Sequence, residues 1–366
     1  ICFCKMSLPY FLSPKRFIIQ WHITERCNWQ CKHCYRDDSI VKELNFRPLT
    51  YILRQCLESF KALGVKGSAA EINIGGGEPF LRKDFFKFLA LLNKNKNLFT
   101  VNIMTNGSFI TNEIVKDLKK LKILNKIQVS LEGLNDSNDE IRGRDSFEKI
   151  VNAIKLLRKH NISTRVSLTL TRKNLPEIEK LAVYLKGIGV NAFGIRRYVP
   201  IGRGKQLKKD MLSPLELKEF YHKREELKKK LDEHKKFIFS YGCEDGIFCR
   251  YYAHPYYYCG VTKGHYLNIF ANGDILACRR FPIVVGNALK KDLLTTHFMS
   301  EKLSKYRDFE NAHPLCRRCP HFRYCLGGAR CITSAYFGTS FAPDPQCWRL
   351  FKELPDRQMF KDEPTD

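Results

Sequence analysis

Long apolar runs are missing from this chain of 366 residues. None approaches the roughly 18 residues that a membrane-spanning helix needs. A secretory signal is missing too, because the stretch up to Phe17 is short, basic and broken by prolines. A cytoplasmic protein with no membrane partner is therefore expected. Acidic residues are scarce: 38 Asp and Glu face 63 Lys and Arg, a formal net charge of +25. The basic residues are spread along the chain without the aromatic-interleaved stripes of a nucleic-acid binder, so nucleic acid is not an expected partner. A solvated basic face accounts for the excess, and attraction of an acidic protein or peptide is its functional counterpart. Internal repeats and low-complexity tracts are also lacking, which excludes solenoids and propellers.

Cysteine, by contrast, is plentiful, with 15 residues. A reducing compartment keeps thiols free, so this number points to metal rather than disulfides. Cys2 and Cys4 precede Met6 and carry little weight, and Cys56 sits in a helical pattern beside Leu53, Leu57 and Phe60, as a core residue would. The length predicts two domains, since single cores rarely grow past about 250 to 300 residues.

Short apolar stretches rich in Ile, Val and Phe predict strands near 17–24, 70–74, 99–104, 126–131, 164–171 and 190–198. Helical patterns lie between them, as at 146–160, where Phe147, Ile150, Val151, Ile154 and Leu157 recur every three to four residues. Six βα repeats imply an α/β fold with a parallel sheet and right-handed crossovers. Ligands then bind outside the carboxyl ends of the strands. Ser213 and Pro214 open a further helix, predicted to run to about residue 236 as a connector, and the charged tail beyond Glu353 is expected to fray.

The first of these strands leads into Cys27-x3-Cys31-x2-Cys34. Three thiolates hold three irons of a 4Fe-4S cube and leave the fourth iron open to an outside ligand. Zinc is the rival, but a structural zinc site wants four protein ligands, and the only nearby fourth donor is His33. Three later segments also run from a strand into a polar or glycine-rich turn. In Glu71-Ile-Asn-Ile-Gly75-Gly76-Gly77-Glu78-Pro79, glycines without Cβ atoms let the backbone approach a ligand closely. Val101 to Gly107 ends in Thr105-Asn106-Gly107, and Ile127 to Gly133 carries Ser130 and Glu132.

Cys27 to Tyr35, with Cys-Asn-Trp-Gln-Cys-Lys-His-Cys-Tyr, resembles the cluster loop of the radical S-adenosylmethionine (SAM) superfamily. The resemblance implies that the open iron chelates SAM and that an electron from the reduced cluster splits the S–C5′ bond, giving a 5′-deoxyadenosyl radical. It implies that His33 lies by the adenine, that Gly76, Gly77 and Glu78 position the methionine part, and that Thr105, Asn106, Ser130, Glu132 and Arg142 contact SAM. The fold implied is a partial (β/α)6 barrel, open on one side to admit a large substrate.

The later cysteines, Cys259-x13-Gly273-x4-Cys278, Cys316-x2-Cys319-x5-Cys325, Cys331 and Cys347, resemble the SPASM extension, a small cysteine-rich α+β domain with auxiliary 4Fe-4S clusters. Asn272-Gly273-Asp274 predicts a hairpin that brings Cys259 and Cys278 together. The usual pattern has a cysteine where Ala329 stands, and Cys331 takes over its role, as in the pyrroloquinoline quinone maturase type. The resemblance implies an inner cluster on Cys259, Cys278 and Cys331, with Cys243 or Cys249 as fourth ligand, and an outer one on Cys316, Cys319, Cys325 and Cys347. Three clusters in all are expected. The implied domains are an N-terminal segment 1–16, a barrel 17–200, a connector 201–240, the auxiliary-cluster domain 241–350 and a tail 351–366.

The activity this implies is radical modification of a peptide or protein, such as a thioether or carbon-carbon cross-link or a side-chain oxidation. A flavodoxin or ferredoxin would supply electrons. The stretch ahead of Cys27 is expected to be too short for a winged-helix leader-binding domain, so any leader would be read by a separate protein or by the enzyme's own surface. Sulfatase-maturing relatives have an aspartate after the cysteine matching Cys278, where this chain has Arg279. The alternative is a haem-pathway enzyme acting on a tetrapyrrole, whose propionates Arg196, Arg197, Arg203, Arg279 and Arg280 would pair. A non-catalytic zinc protein is a distant third, because it leaves the Gly-Gly-Gly-Glu-Pro and Thr-Asn-Gly segments unexplained.

Overall fold

Alternation along each strand decides this architecture. In β1 (Phe17–Thr24), Phe17, Ile19, Trp21 and Ile23 enter the main hydrophobic core, while Gln20 and His22 lie on the opposite face. The computed structural model describes residues 15–37, 41–231, 237–240, 242–248 and 259–364. Within them β1, β2 (Gly67–Gly76), β3 (Phe99–Thr105), β4 (Leu124–Ser130), β5 (Thr164–Leu170) and β6 (Ala192–Arg197) stand side by side in chain order, and every neighbouring pair is parallel.

Helices α1 (Phe46–Ala62), α2 (Phe85–Asn93), α3 (Asn112–Lys119), α4 (Asn135–Arg142), α5 (Ser146–Lys159) and α6 (Ile178–Gly187) form the crossovers. They cover one face of the sheet, where Trp21 meets Phe88 edge to face at 5.2 Å and Cys56 is fully buried. α7 (Pro214–Leu231) starts at a reciprocal cap: the Ser213 amide donates to Glu216 Oε2 at 2.6 Å, and Ser213 Oγ accepts from the Glu216 amide at 3.3 Å. Its Leu217, Phe220 and Tyr221 also enter the main core.

The sheet does not end with β6. β7 (Ile238–Ser240) adds parallel to β6, and β8 (Tyr266–Ile269) adds parallel to the free side of β1. β8, β9 (Asp274–Cys278) and β10 (Phe281–Asn287) then continue antiparallel, giving ten strands in the order β10-β9-β8-β1-β2-β3-β4-β5-β6-β7. The turn between β8 and β9 has Gly273 at φ +85°, the left-handed conformation that makes glycine useful there. The cysteine-rich segment follows as short helices, among them α8 (Gly260–Lys263), α9 (Leu293–Phe298), α10 (Glu301–Arg307), α11 (Pro314–Arg317), α12 (Phe322–Cys325) and α13 (Arg330–Phe337). It shares a second core, built on Tyr198, Met211, Phe281, Tyr306, Ile332 and Phe341, with the loop that follows β6. No described helix is long and apolar enough to cross a membrane.

The face of β1–β6 away from the helices is polar. Register aligns Gln20, Asn73, Asn102 and Lys126 in one rung across β1 to β4, and Gln128 faces Arg165 across β4 and β5. An inner face so furnished holds a ligand or water rather than a dry core.

Candidate active site

The chain leaves β1 through Thr24, Glu25 and Arg26 to reach Cys27, and the end of β2 grips this exit. The Gly77 amide donates to the Thr24 carbonyl at 2.9 Å and the Glu78 amide to the Arg26 carbonyl at 2.8 Å. A Cβ at Gly76 would stand 2.0 Å from the Thr24 oxygen, and one at Gly77 would stand 2.0 Å from the Arg26 oxygen. The glycines expected to bare the backbone to a ligand thus also bare it to the cysteine loop. Arg36 Nε donates to Glu25 at 2.5 Å, and Arg82 donates to the carbonyls of Ile23 and Leu44 at 2.8 and 2.9 Å. Gly77→Ala is expected to displace the exit, at a cost of about 1 to 3 kcal/mol, and to lower iron uptake by the adjacent cysteines. Urea unfolding and an iron assay on the same preparation check this.

Cys27, Cys31 and Cys34 line one cavity together with Gly76, Gly77, Thr105, Asn106, Ser130, Glu132 and Arg142. Asn106 Nδ2 lies 4.0 Å from Cys27 Sγ, and Arg142 Nη1 lies 3.8 Å from Cys31 Sγ. Burial pushes the Cys27 and Cys31 thiols up, while Arg142 favours the thiolate of Cys31. Among the described residues, no three His, Cys, Asp or Glu side chains converge on a single ion. A cube of iron and sulfide, whose thiolates each reach a different iron, fits the three cysteines better than zinc does. His33 lines the same cavity, and its Nε2 meets Glu132 Oε1 at 3.2 Å.

Glu132 ties this wall together. It accepts from Arg142 Nη2 at 2.5 Å and from the Thr169 amide at 2.6 Å. Burial pushes its carboxyl up, but His33, Arg142 and the amide outweigh burial and hold it down, to about 2. Arg142 and His33 thereby acquire fixed directions at the cavity wall. Glu78 is fully buried, and its carboxylate accepts from Thr105 Oγ1 at 2.8 Å, the Asn106 amide at 2.7 Å and the Phe80 amide at 3.3 Å. It braces the Thr105-Asn106-Gly107 turn, and burial raises its carboxyl to about 7.

A second cavity adjoins the first. The first spans about 1100 Å³ and the second about 1180 Å³ with their open mouths, and they share Met104, Gln128, Ser167, Arg196, Arg279 and Arg280. There is room for a substrate beside SAM. The second chamber reaches from the polar rungs of β2–β6 to Cys259, Cys278 and Cys331. The Asn272-Gly273 hairpin thus delivers Cys278 to the same wall as Cys259. Farther out, Cys316, Cys319, Cys325 and Cys347 surround one small enclosure beside Asp344 and Arg349. Cys243 opens the 3-10 turn Cys243–Phe248, and Cys249 lies outside the described residues.

Of the arginines expected at the mouth, Arg196, Arg279 and Arg280 border both cavities. Arg280 is paired with Glu244 at 2.9 Å, and Arg279 Nη1 reaches Met104 Sδ at 3.3 Å. Arg197, the next residue along β6, instead commits its guanidinium to Asp344, at 2.6 and 2.9 Å, as strand alternation dictates. The Arg203 amide donates to the Arg36 carbonyl, and Arg203 borders a separate pocket beside the cysteine loop. Sequence reasoning passed over Lys126 and Arg165, which face the chamber from β4 and β5. Neither residue carries a signal by itself; only their common placement with Gln128 and Ser167 on the inner face of β4 and β5 marks them.

The family model of the Radical SAM superfamily matches residues 21–185, and that of the SPASM iron-sulfur cluster-binding domain matches residues 259–320. The AdoMet-dependent heme synthase of Methanosarcina barkeri is 26% identical over 348 residues, covering 90% of this chain and 95% of that protein. Mycofactocin maturase MftC of Mycolicibacterium smegmatis is 26% identical over 345 residues, covering 90% of this chain and 82% of that one. Among solved structures, Streptococcus suis SuiB bound to S-adenosylmethionine superposes with a TM-score of 0.74 at 21% identity, over 91% of this chain and 77% of that one. The enzyme anSMEcpe with bound AdoMet and Cp18Cys peptide gives 0.72 at 19% identity, over 94% and 97%. At those identities the structural likeness speaks for the fold.

Proposed function

This chain belongs to the radical SAM enzymes that carry a C-terminal SPASM-type domain, and we propose that it cleaves SAM reductively to modify a peptide or protein by hydrogen abstraction. One observation carries the reading: the cavity lined by Cys27, Cys31 and Cys34 opens into a chamber whose far wall bears Cys259, Cys278 and Cys331. A substrate lying there sits between two sets of thiols suited to clusters.

In this reading β1–β6 form the partial (β/α)6 barrel, and segments 1–16, 17–200, 201–240, 241–350 and 351–366 are the working units. Cys27, Cys31 and Cys34 hold the reactive 4Fe-4S cluster, which when reduced supplies the electron that cleaves SAM. Gly76, Gly77, Thr105, Asn106 and Ser130 line the space for SAM. Glu132 fixes Arg142 and His33, so that a cation meets the SAM carboxylate and a flat ring its adenine. Glu78 acts through the turn that it braces. The inner auxiliary cluster takes Cys259, Cys278 and Cys331, with Cys243 or Cys249 as fourth ligand, and the outer one takes Cys316, Cys319, Cys325 and Cys347. A flavodoxin or ferredoxin in the cytoplasm donates electrons, drawn by the +25 chain.

Solved structures of SuiB with its precursor peptide SuiA and of anSMEcpe with a peptide, which share this fold, support a peptide substrate. A second reading, a tetrapyrrole substrate, is favoured by the surplus of arginine and lysine in the chamber and by the heme synthase and Fe-coproporphyrin III synthase of M. barkeri among the relatives. The test is anaerobic. The reconstituted enzyme, with SAM and dithionite, is offered peptides encoded beside its gene and, separately, Fe-coproporphyrin III. Formation of 5′-deoxyadenosine coupled to loss of two hydrogens from a peptide supports the first reading. Coupling to the porphyrin alone selects the second, and no SAM cleavage with either removes both.

A further inference from the structure

The chamber holds more positive charge than its own carboxylates balance. Arg16 is paired with Glu71 and Arg280 with Glu244. Arg165 has no such partner: its Nε and Nη2 are shielded from solvent with no hydrogen-bond acceptor in reach among the described residues. Burial, and next the like charge of Arg196, push its guanidinium down to about 9. A buried cation left unpaired destabilises a fold, and such groups persist where a ligand completes them.

The backbone is shaped to seat these groups. A Cβ at Gly194 would lie 2.5 Å from Arg165 Nη2, and one at Gly242 would lie 2.3 Å from Arg196 Nη1. Side chains at these positions would crowd the arginines, together with Ser240 Oγ at Gly194 and the Glu244 carboxylate at Gly242. Gln128, opposite Arg165 in the sheet, and Ser167, its neighbour on the same face of β5, add polar edges, and both border the cavity of Cys27, Cys31 and Cys34. Lys126 lines the same chamber from β4. Donors dominate the place, and the arginine fork matches an acceptor with two coplanar oxygens.

We propose that Arg165 and Arg196, with Lys126 nearby, form a carboxylate-binding subsite that anchors the substrate in the chamber and turns its remainder toward the SAM cavity. The proposal rests on the reading that this chamber receives the substrate. The carboxylate belongs to an acidic peptide side chain or to a tetrapyrrole propionate, and the test separates the two.

Binding is measured anaerobically on the cluster-loaded enzyme with SAM and no reductant, so that nothing turns over. One arm titrates coproporphyrin III by absorbance against its tetramethyl ester. The other titrates a fluorescein-labelled hexaglutamate by anisotropy against hexaglutamine. At least one acid is expected to bind, with its neutral counterpart tenfold or more weaker, and the acid that binds names the source. Arg165→Gln and Arg196→Gln should each weaken the acid by about ten- to a hundredfold, and Arg165→Lys should recover part of the loss. Because Arg165→Gln removes an unpaired buried charge, it should melt no lower than the wild type. Failure of both acids to bind overturns the subsite, as does an affinity unchanged in Arg165→Gln or a melting point lowered by more than about 5 °C, which marks a structural role. A wild type that binds the acid but forms no 5′-deoxyadenosine once dithionite is added keeps the subsite and loses the reaction. The reverse outcome loses the subsite alone.

Discussion

Replacing Cys27, Cys31 and Cys34 together with alanine is expected to lower 5′-deoxyadenosine formation on the order of 10³-fold or more and to remove about four of about twelve irons per chain. The loss should be this large because, in the proposed reading, these three thiols hold the cluster whose free iron binds SAM. The fold should survive, since hydrogen bonds and not thiols hold the loop: Gly77 to Thr24, Glu78 to Arg26, Lys32 to the Ile141 carbonyl at 2.8 Å, and Arg36 to Glu25. Any drop in thermal stability should equal what the lost cluster contributed by linkage. Cys56→Ala is the contrasting variant, because that thiol is fully buried in the main core. It should keep its iron and its SAM cleavage while losing about 1 to 2 kcal/mol of stability. Iron and sulfide assays, chromatographic detection of deoxyadenosine and thermal melts separate the cases. Undiminished cleavage in the triple variant would remove the cysteine loop from the reaction.

The βα order was legible because each strand is short, apolar and flanked by a helical period. Strands expected at 17–24, 99–104 and 164–171 stand at Phe17–Thr24, Phe99–Thr105 and Thr164–Leu170. What escaped was non-local. Nothing in Tyr266–Ile269 says that it pairs in parallel with β1, more than two hundred residues earlier, since a strand's own pattern states its faces but not its neighbour. The cysteines were readable because their spacing is itself the chemical signal. Arg165 was not, since a lone arginine in a strand pattern reads equally as solvated. Only when neighbouring rungs also carry Lys126, Gln128, Ser167 and Arg196 does the inner face become a site. Glu78 was expected beside the methionine part of SAM, but its carboxylate is committed to Thr105 and the Asn106 amide, and a sequence does not say which groups a carboxylate will meet.

Asp344 is the residue on which the cysteine-rich segment turns, and breaking its pair with Arg197 should be the most damaging single change away from the cysteines. The pair is bidentate, at 2.6 and 2.9 Å, and its two side chains are only 2% and 1% exposed. Arg197 comes from β6, whereas Asp344 also accepts from the Ala329 amide at 3.1 Å and the Gln346 amide at 3.0 Å. Gln346 in turn accepts from Arg197 and donates to the Leu212 carbonyl at 2.7 Å. One network therefore joins the parallel sheet, the loop before α7, the turn between α12 and α13 that separates Cys325 from Cys331, and the loop that leads to Cys347. Asp344→Ala leaves the guanidinium buried without its partner, which should cost about 3 to 5 kcal/mol. Because Asp344 borders the enclosure of Cys316, Cys319, Cys325 and Cys347, the variant should also lose about four irons while keeping those held by Cys27, Cys31 and Cys34. Replacing both partners by apolar residues, Arg197→Met with Asp344→Leu, removes the stranded charge and should recover part of the stability. Without the amide contacts of Asp344, however, that double variant should not recover the irons. Urea unfolding of the two single variants and the double variant, with iron counted on each, gives both readings. A double variant no more stable than its weaker parent would show that the loop contacts of Asp344, and not its charge pair, join the two parts of the chain.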